Sequence, residues 1–92
     1  FVFPYAYVAG PGYYRAEDNS AYVIGKDFWG RKRIEGRLRK NYNSFKGKVI
    51  LYYKNGNVKR IMFYSESGKS TRVGVWKYYD RKGNLVKEKS HT

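Results

Sequence analysis

The amino-acid stretch that decides the fold is GKVILYYKNGNV, residues 47–58, which recurs without a gap as GVWKYYDRKGNL, residues 74–85. Identical residues stand 27 positions apart at Gly47 and Gly74, Tyr52 and Tyr79, Gly56 and Gly83, and Asn57 and Asn84. The same spacing relates Lys32-Arg33-Ile34 to Lys59-Arg60-Ile61. Similarity at a fixed period indicates a repeat architecture. Each unit has the pattern of an aromatic strand, a glycine-containing turn and a second strand.

The repeat predicts strands near residues 48–54, 57–64, 72–79 and 84–89, joined in order as antiparallel neighbours. Asn55-Gly56 predicts a type I′ turn, in which both central residues have positive φ. The predicted fold class is therefore all-β, an antiparallel meander of repeated hairpins with an irregular N-terminal section. We expect one face of the sheet to bury Val49, Leu51, Ile61, Phe63, Trp76 and Tyr78.

The first 46 residues are less regular. Phe1–Val8 has apolar or small residues on both faces of an extended segment, which predicts cover on both sides, and Ala9-Gly10-Pro11-Gly12 predicts a turn or loop. A short strand is predicted at Tyr13–Arg15, and Ala21–Ile24 is a second short apolar run. Residues 30–46 fit either a helix or a strand. The 27-residue echo favours the strand, as a degenerate third repeat unit.

Size and charge bound the organisation of the chain. Its 92 residues form a single domain, with an aromatic and Gly-Pro-containing section at 1–25 and a basic section at 26–92. The net charge is +13, and the section 26–92 holds 19 of the 20 Lys and Arg residues against five carboxylates. A field of this sign attracts nucleic acid, acidic lipid headgroups, acidic glycans or an acidic protein, and it also favours solubility.

The densest group of positive charges is Arg31, Lys32, Arg33, Arg37, Arg39 and Lys40. In a helix these residues would form a basic amphipathic face, which suits a membrane surface or an acidic partner. In a strand they would contact phosphates, or they would protect the edge of a sheet from pairing with another chain. We take this group as the candidate polyanion-binding site.

Aromatic residues near these cations could stack on nucleobases or sugars. The candidates for such contacts are Tyr52, Trp76, Tyr78 and Tyr79. At repeat positions the same aromatics are more often the core of a thin sheet, and we favour the core.

The sequence contains few groups suited to catalysis or metal binding. Cysteine is absent, and the one histidine, His91, lies in a C-terminal segment, residues 90–92, that we expect to fray. The carboxylate pairs Asp27 with Glu35 and Glu17 with Asp18 read as counter-charges in a basic surface. We therefore predict no catalytic residues, no metal site and no cofactor.

The stretch GVWKYYDRKGNLVKE, residues 74–88, resembles the MORN-variant repeat, and LYYKNGNVK, residues 51–59, resembles a second copy. The resemblance covers about residues 47–89; Val49 stands where the pattern has Trp, and residues 1–46 do not match. It implies stacked β-hairpins in an elongated sheet and a binding or scaffold role without catalytic residues. Proteins with this variant are mostly bacterial, some are labelled antitoxins, and related repeats are associated with membrane or protein contacts.

Together these features predict a non-enzymatic binding or scaffold module, whose basic, aromatic-rich sheet face contacts an anionic surface or an acidic protein. The alternatives are an RNA- or DNA-binding protein and a small basic ribonuclease. The chain begins with Phe1 rather than Met. Removal of a signal peptide would explain this start and would make the protein secreted or periplasmic; a trimmed fragment would explain it equally.

Overall fold

The computed structural model describes residues 5–15, 20–38, 45–65 and 71–91. Within these ranges, seven strands form one antiparallel sheet in which the spatial order follows the chain order. The strands are β1 Ala6–Arg15, β2 Ser20–Lys26, β3 Lys32–Leu38, β4 Phe45–Tyr52, β5 Val58–Tyr64, β6 Gly74–Tyr79 and β7 Leu85–His91. The predicted all-β antiparallel meander is confirmed. β4 to β7 lie at the four predicted positions, and β3 confirms the strand reading for residues 32–38.

Three hairpin turns share one backbone pattern. Gly56 N–H donates to the carbonyl of Tyr53 at 3.0 Å, and Tyr53 N–H donates to the carbonyl of Asn57 at 2.8 Å. The segments 27–31 and 80–84 have the same two hydrogen bonds. In each turn the glycine that closes it has a positive φ, 92° at Gly56, which is typical of a turn followed by a bulge. The type I′ prediction was wrong, because Lys54 and Asn55, rather than Asn55 and Gly56, are the central residues of this turn.

The turn at 27–31 makes β2 and β3 the first of three hairpin units. It precedes the Tyr53–Asn57 turn by 26 positions, one fewer than the spacing between the second and third units. Lys32 therefore corresponds to Val58 in the structure, because each is the first residue of the second strand of its unit. The sequence match of Lys32 with Lys59 is therefore displaced by one residue from the correspondence that the structure shows.

The core lies on one face of the sheet, as residues alternate along β2, β3 and β4. Its buried side chains are Ala21, Val23, Ile34, Leu38, Phe45, Val49, Leu51, Met62 and Trp76. Tyr78 packs against this cluster while remaining partly exposed. Val49, Leu51 and Trp76 are thus core residues, as predicted.

The predicted shared face was wrong for Ile61 and Phe63, although Phe63 still packs against the core cluster and is partly buried. The register of β4 and β5 pairs Val49 with Met62, and Ile50 with Ile61. Paired residues in antiparallel strands point to the same face, so Met62 takes the core position. Ile61 lies on the opposite face with Ile50, and both are only partly buried.

The N-terminal section differs from the prediction. β1 is one strand from Ala6 to Arg15 where a turn was expected at 9–12, and its register against β2 shifts between Ala9 and Tyr14. A Cβ at Gly10 would lie 2.3 Å from the ring of Tyr22, so glycine there allows close packing. The prediction that both faces of Phe1–Val8 are covered was also wrong for the described residues of that segment, because Ala6 and Val8 are exposed. Residues 1–4 lie outside the described residues.

The C-terminal strand extends further than expected. Ser90 and His91 belong to β7, and the His91 ring lies 4.7 Å from the ring of Trp76. The prediction that the chain frays from residue 90 was therefore wrong for these two residues, because β7 pairs with β6 up to His91. Thr92 lies outside the described residues.

Candidate functional site

The three hairpin turns lie at one end of the sheet, because successive strands of a meander run in opposite directions. We call the segments 27–31, 53–57 and 80–84 the turn row. The side-chain amides of Asn55 and Asn57 both donate to the carbonyl of Arg81, at 2.9 and 2.7 Å. Tyr53 Oη donates to the carbonyl of Tyr79 at 2.8 Å. These bonds hold the second and third turns side by side.

Asp27 organises the first turn and connects it to the second. Its Oδ1 accepts the N–H groups of Trp29 and Arg31, each at 3.0 Å. Its Oδ2 lies 2.9 Å from Arg31 Nε and 3.4 Å from Arg33 Nη1. Burial opposes the charge on Asp27, but the hydrogen bonds from Arg31 and Trp29 outweigh it and lower the pKa of this carboxyl. Arg33 Nε also donates to the carbonyl of Tyr52 at 3.2 Å.

A cavity of about 390 Å³ opens along the turn row, lined by Arg33, Tyr53, Lys54, Asn55, Lys59 and Arg81. We call it the turn cavity. Four of these described lining residues are cationic and none carries a carboxylate. Within the described parts of the chain, no ion pair joins Lys54, Lys59 or Arg81 to a carboxylate. Arg33 is paired with Asp27, so three uncompensated cations remain among the described residues around the concave space. Such an arrangement suits an anionic group, because a concave surface concentrates the field of the cations.

The candidate polyanion cluster lies only partly on β3, which holds Lys32, Arg33 and Arg37. β3 pairs with β2 and β4, so the alternative of an edge strand was wrong. Arg31 and Arg33 contact Asp27, and Lys32 Nζ lies 3.3 Å from Glu35 Oε1. Arg37 donates to Ser20 Oγ at 3.3 Å. Of the cluster, Arg33 lines the turn cavity; Arg39 and Lys40 lie outside the described residues.

The four aromatic candidates have different surroundings. Trp76 is 4% exposed, and its Nε1 donates to the carbonyl of Phe63 at 3.0 Å, so its ring is part of the core. Arg60 and Lys87 lie over the ring of Tyr78, at 4.9 and 5.3 Å from its centroid. Tyr52 contacts Glu35, and Tyr79 contributes its carbonyl to Tyr53. None of the four lines the turn cavity.

Glu35 joins two tyrosines on the face opposite the core. Tyr22 Oη donates to Glu35 Oε2 at 2.5 Å, and Tyr52 Oη donates to Oε1. Burial opposes ionisation of Glu35, but the bonds from Tyr22 and Tyr52 and the charge of Lys32 lower its pKa. Burial and the bond to Glu35 raise the pKa of Tyr22 to about 12 and that of Tyr52 further. The cluster therefore holds an ionised carboxylate and two neutral phenols at neutral pH.

The described ranges contain no group of three or more His, Cys, Asp or Glu residues placed to hold a metal ion. They also contain no helix long and apolar enough to span a membrane.

The sequence reasoning missed Phe28, Trp29 and most of the turn cavity. Phe28 and Trp29 are the central residues of the first turn and are 92% and 72% exposed. The available signal was the spacing of Asp27 and Gly30, which repeats that of Asp80 and Gly83. Aligned on this spacing, the central positions of the three turns hold Phe28-Trp29, Lys54-Asn55 and Arg81-Lys82.

Comparison with known proteins adds no assignment: no protein-family model, curated protein or solved structure matches the chain. The resemblance to the MORN-variant repeat therefore stays a prediction.

Proposed function

We propose that the protein is a non-enzymatic binding module that contacts an anionic surface or an acidic partner through the basic end of its sheet. The observation that carries the proposal is the turn cavity, which four cationic side chains line without a carboxylate among the described residues. Lys54 and Arg81 are exposed at the centres of neighbouring turns, so a ligand reaches them without any rearrangement of the sheet.

The position of the acidic residues supports the same function. The chain has seven carboxylates for 20 Lys and Arg residues. Asp27 and Glu35 together hold Arg31, Lys32 and Arg33 in ion pairs. Asp80 serves its own turn, because its Oδ1 accepts the N–H groups of Lys82 and Asn84. The backbone bond from Asn84 is the main cause of a lowered pKa at Asp80. These three carboxylates are engaged. Of the turn-cavity cations Arg33 is paired with Asp27, whereas no ion pair among the described residues compensates Lys54, Lys59 and Arg81.

Hydrogen bonds between the turns also fix the backbone that carries these cations. The amides of Asn55 and Asn57 fix the second turn to the third, and Lys59 Nζ lies 5.7 Å from the centre of the Tyr53 ring. Cations carried on a fixed backbone bind an anion at a smaller cost in conformational freedom than cations on a mobile loop would.

The test compares two double variants with the same loss of charge. Lys54→Gln with Arg81→Gln removes the two exposed cations of the turn cavity. Lys48→Gln with Lys89→Gln removes two exposed cations toward the opposite ends of β4 and β7. Binding is measured against anionic vesicles, single-stranded RNA of mixed sequence and polyglutamate, each over a series of salt concentrations.

We expect the cavity variant to lose about 2 kcal/mol of binding free energy on its preferred anion, at about 1 kcal/mol per cation near a charged surface. The control should change affinity by less, since charges beyond roughly 8 Å are screened at physiological salt. Equal losses in the two variants would show that the charge acts diffusely and that the turn cavity is not a site.

The choice of ligand separates the functional classes. Tightest binding to RNA, with log K falling by about 0.7 per neutralised phosphate against log salt, would establish the nucleic-acid alternative. Cleavage of that RNA would establish the ribonuclease alternative. The absence of binding to all three polyanions at physiological salt would refute the proposal.

A further inference from the structure

The tip of the first turn exposes two adjacent aromatic side chains. Phe28 and Trp29 are 92% and 72% exposed, more than any other large apolar residue in the described ranges. Their rings touch edge to face, with centroids 5.4 Å apart and planes at 90°. Two exposed aromatics side by side form a contiguous apolar patch, which water disfavours and which marks an interaction surface.

The backbone beneath this tip is fully organised. Gly30 N–H donates to the carbonyl of Asp27 at 2.9 Å, and φ at Gly30 is 78°, a conformation that glycine adopts readily. Asp27 Oδ1 accepts the N–H groups of Trp29 and Arg31. The aromatic pair is therefore displayed on a closed turn.

One cation lies against the aromatic tip, and others line the same end of the sheet. Arg31 stacks over the Trp29 ring at 4.9 Å, and Arg33, bound to the same Asp27, lines the turn cavity. At the positions that correspond to Phe28 and Trp29, the second turn carries Lys54 and the third carries Arg81 and Lys82. One end of the sheet thus presents an apolar tip beside a row of positive charges. This combination complements an anionic lipid bilayer, where tryptophan favours the headgroup level and Lys and Arg contact lipid phosphates.

The geometry of the rings favours a bilayer over single-stranded nucleic acid. A stacking platform offers open ring faces to successive bases. Here the Arg31 guanidinium lies over Trp29, and the Phe28 ring stands perpendicular to it. Phe28 also has no polar atom with which to read a base edge. Insertion into a lipid headgroup region requires only that the apolar tip project from the turn.

We infer that Phe28 and Trp29 insert into the headgroup region of an anionic membrane while the turn cavity binds a lipid phosphate. This inference rests on the proposed function, and it assigns the anionic surface to a lipid bilayer. Binding is peripheral, because the inserted element is the tip of a single turn.

The test uses vesicles of phosphatidylcholine, alone and mixed with phosphatidylserine, and it uses polyglutamate and single-stranded RNA as lipid-free polyanions. The tip variant is Phe28→Ser with Trp29→Ser, which keeps residues that turns accept. The control is Val8→Thr with Val75→Thr, which alters exposed apolar side chains on β1 and β6.

We expect wild-type protein to prefer the phosphatidylserine vesicles. The tip variant should lose at least about tenfold in vesicle affinity, because two aromatic side chains no longer leave water. Its affinity for polyglutamate and the vesicle affinity of the control should remain unchanged. On binding, the emission of Trp29 should shift to shorter wavelength, and Trp29→Phe should still bind but lack that shift.

Each contrary result has a distinct meaning. Polyglutamate binding with equal vesicle affinity in wild type and tip variant would overturn the insertion and leave the proposed function intact. Loss of RNA binding in the tip variant, with vesicle binding unchanged, would overturn it in favour of base stacking. Failure of the wild type to bind vesicles, polyglutamate and RNA alike would overturn both the insertion and the proposed function.

Discussion

The side-chain amide of Asn55 donates a hydrogen bond of 2.9 Å to the backbone carbonyl of Arg81, 26 residues further along the chain. Asn57 donates to the same carbonyl at 2.7 Å. A turn of one repeat unit thereby serves as the support of the next. The repeat is consequently a structural unit as well as a sequence pattern, since the second turn presents polar groups to the third.

Removing both bonds should loosen the turn row. We expect Asn55→Ala with Asn57→Ala to lower the free energy of unfolding by about 1–2 kcal/mol, since a typical hydrogen bond contributes about 1 kcal/mol. Exchange of the Gly83 amide hydrogen should become faster, because the third turn loses its support. Lys82→Ala, an exposed change in the same turn, should stay within about 0.5 kcal/mol of wild type. Denaturant unfolding measures the change in stability, and hydrogen exchange measures the change at the Gly83 amide. An unchanged stability would show that the shared carbonyl is not a structural link.

The two tryptophans offer a matched test of the core. Trp76 is buried against Met62 and its neighbours, whereas Trp29 projects from a turn. Trp76→Ala should cost about 3–5 kcal/mol of unfolding free energy, a large part of the stability of a small domain. Trp29→Ala should change stability by less than about 0.5 kcal/mol. Equal melting temperatures for the two variants would contradict the assignment of Trp76 to the core.

The sequence predicted most of the fold because its signals were local. Glycine at Gly56 and Gly83, between aromatic and β-branched runs, locates both turns and therefore β4 to β7. The error at Ile61 and Phe63 was avoidable, since pairing outward from Asn55-Gly56 places Val49 opposite Met62. The N-terminal error had a different origin. Gly10 reads as part of a turn, but its packing against Tyr22 on β2 keeps the chain extended.

The candidate site was harder to predict, because it depends on residues from different units. Lys54 and Arg81 occupy equivalent positions of the 27-residue repeat, but they become neighbours only when two turns stack. The dense group on β3 dominated the charge pattern, yet Asp27 and Glu35 compensate three of its members. Charge density along the chain therefore gave a poor indication of where uncompensated charge lies in space.

The Glu35 cluster predicts an unusual alkaline titration. Burial and the bond to Glu35 raise the folded-state pKa of Tyr22 to about 12, from an unfolded value near 10. A raised pKa contributes stability below pH 10 that is lost as the pH rises toward 12. Glu35→Gln removes the negative charge and should lower the pKa of Tyr22 and of Tyr52. Tyrosinate absorbance during a pH titration measures this change.

The control for this titration is Glu88→Gln. Glu88 is an exposed carboxylate on β7, far along the sheet from Tyr22. Its replacement should leave the high-pH tyrosine transitions in place. Identical titrations of Glu35→Gln and wild type would show that the two phenols do not bond to Glu35.

His91 predicts a stability change on the acid side. Its Nε2 is buried without a hydrogen-bond partner, and its ring lies 4.7 Å from that of Trp76. Burial, followed by the charges of Lys89 and Arg72, lowers the pKa of His91 below its usual value of about 6.5. The folded state therefore binds fewer protons than the unfolded state just below pH 6.5, so stability should fall as the pH decreases through that window.

The carboxyls of Asp27, Glu35 and Asp80 also have lowered pKa values, but their contribution is lost only below about pH 4. His91→Gln should flatten the dependence of urea unfolding between about pH 5 and 7 while leaving the steeper loss below pH 4. The same slope in wild type and variant between pH 5 and 7 would show that the pKa of His91 does not differ between the folded and the unfolded state.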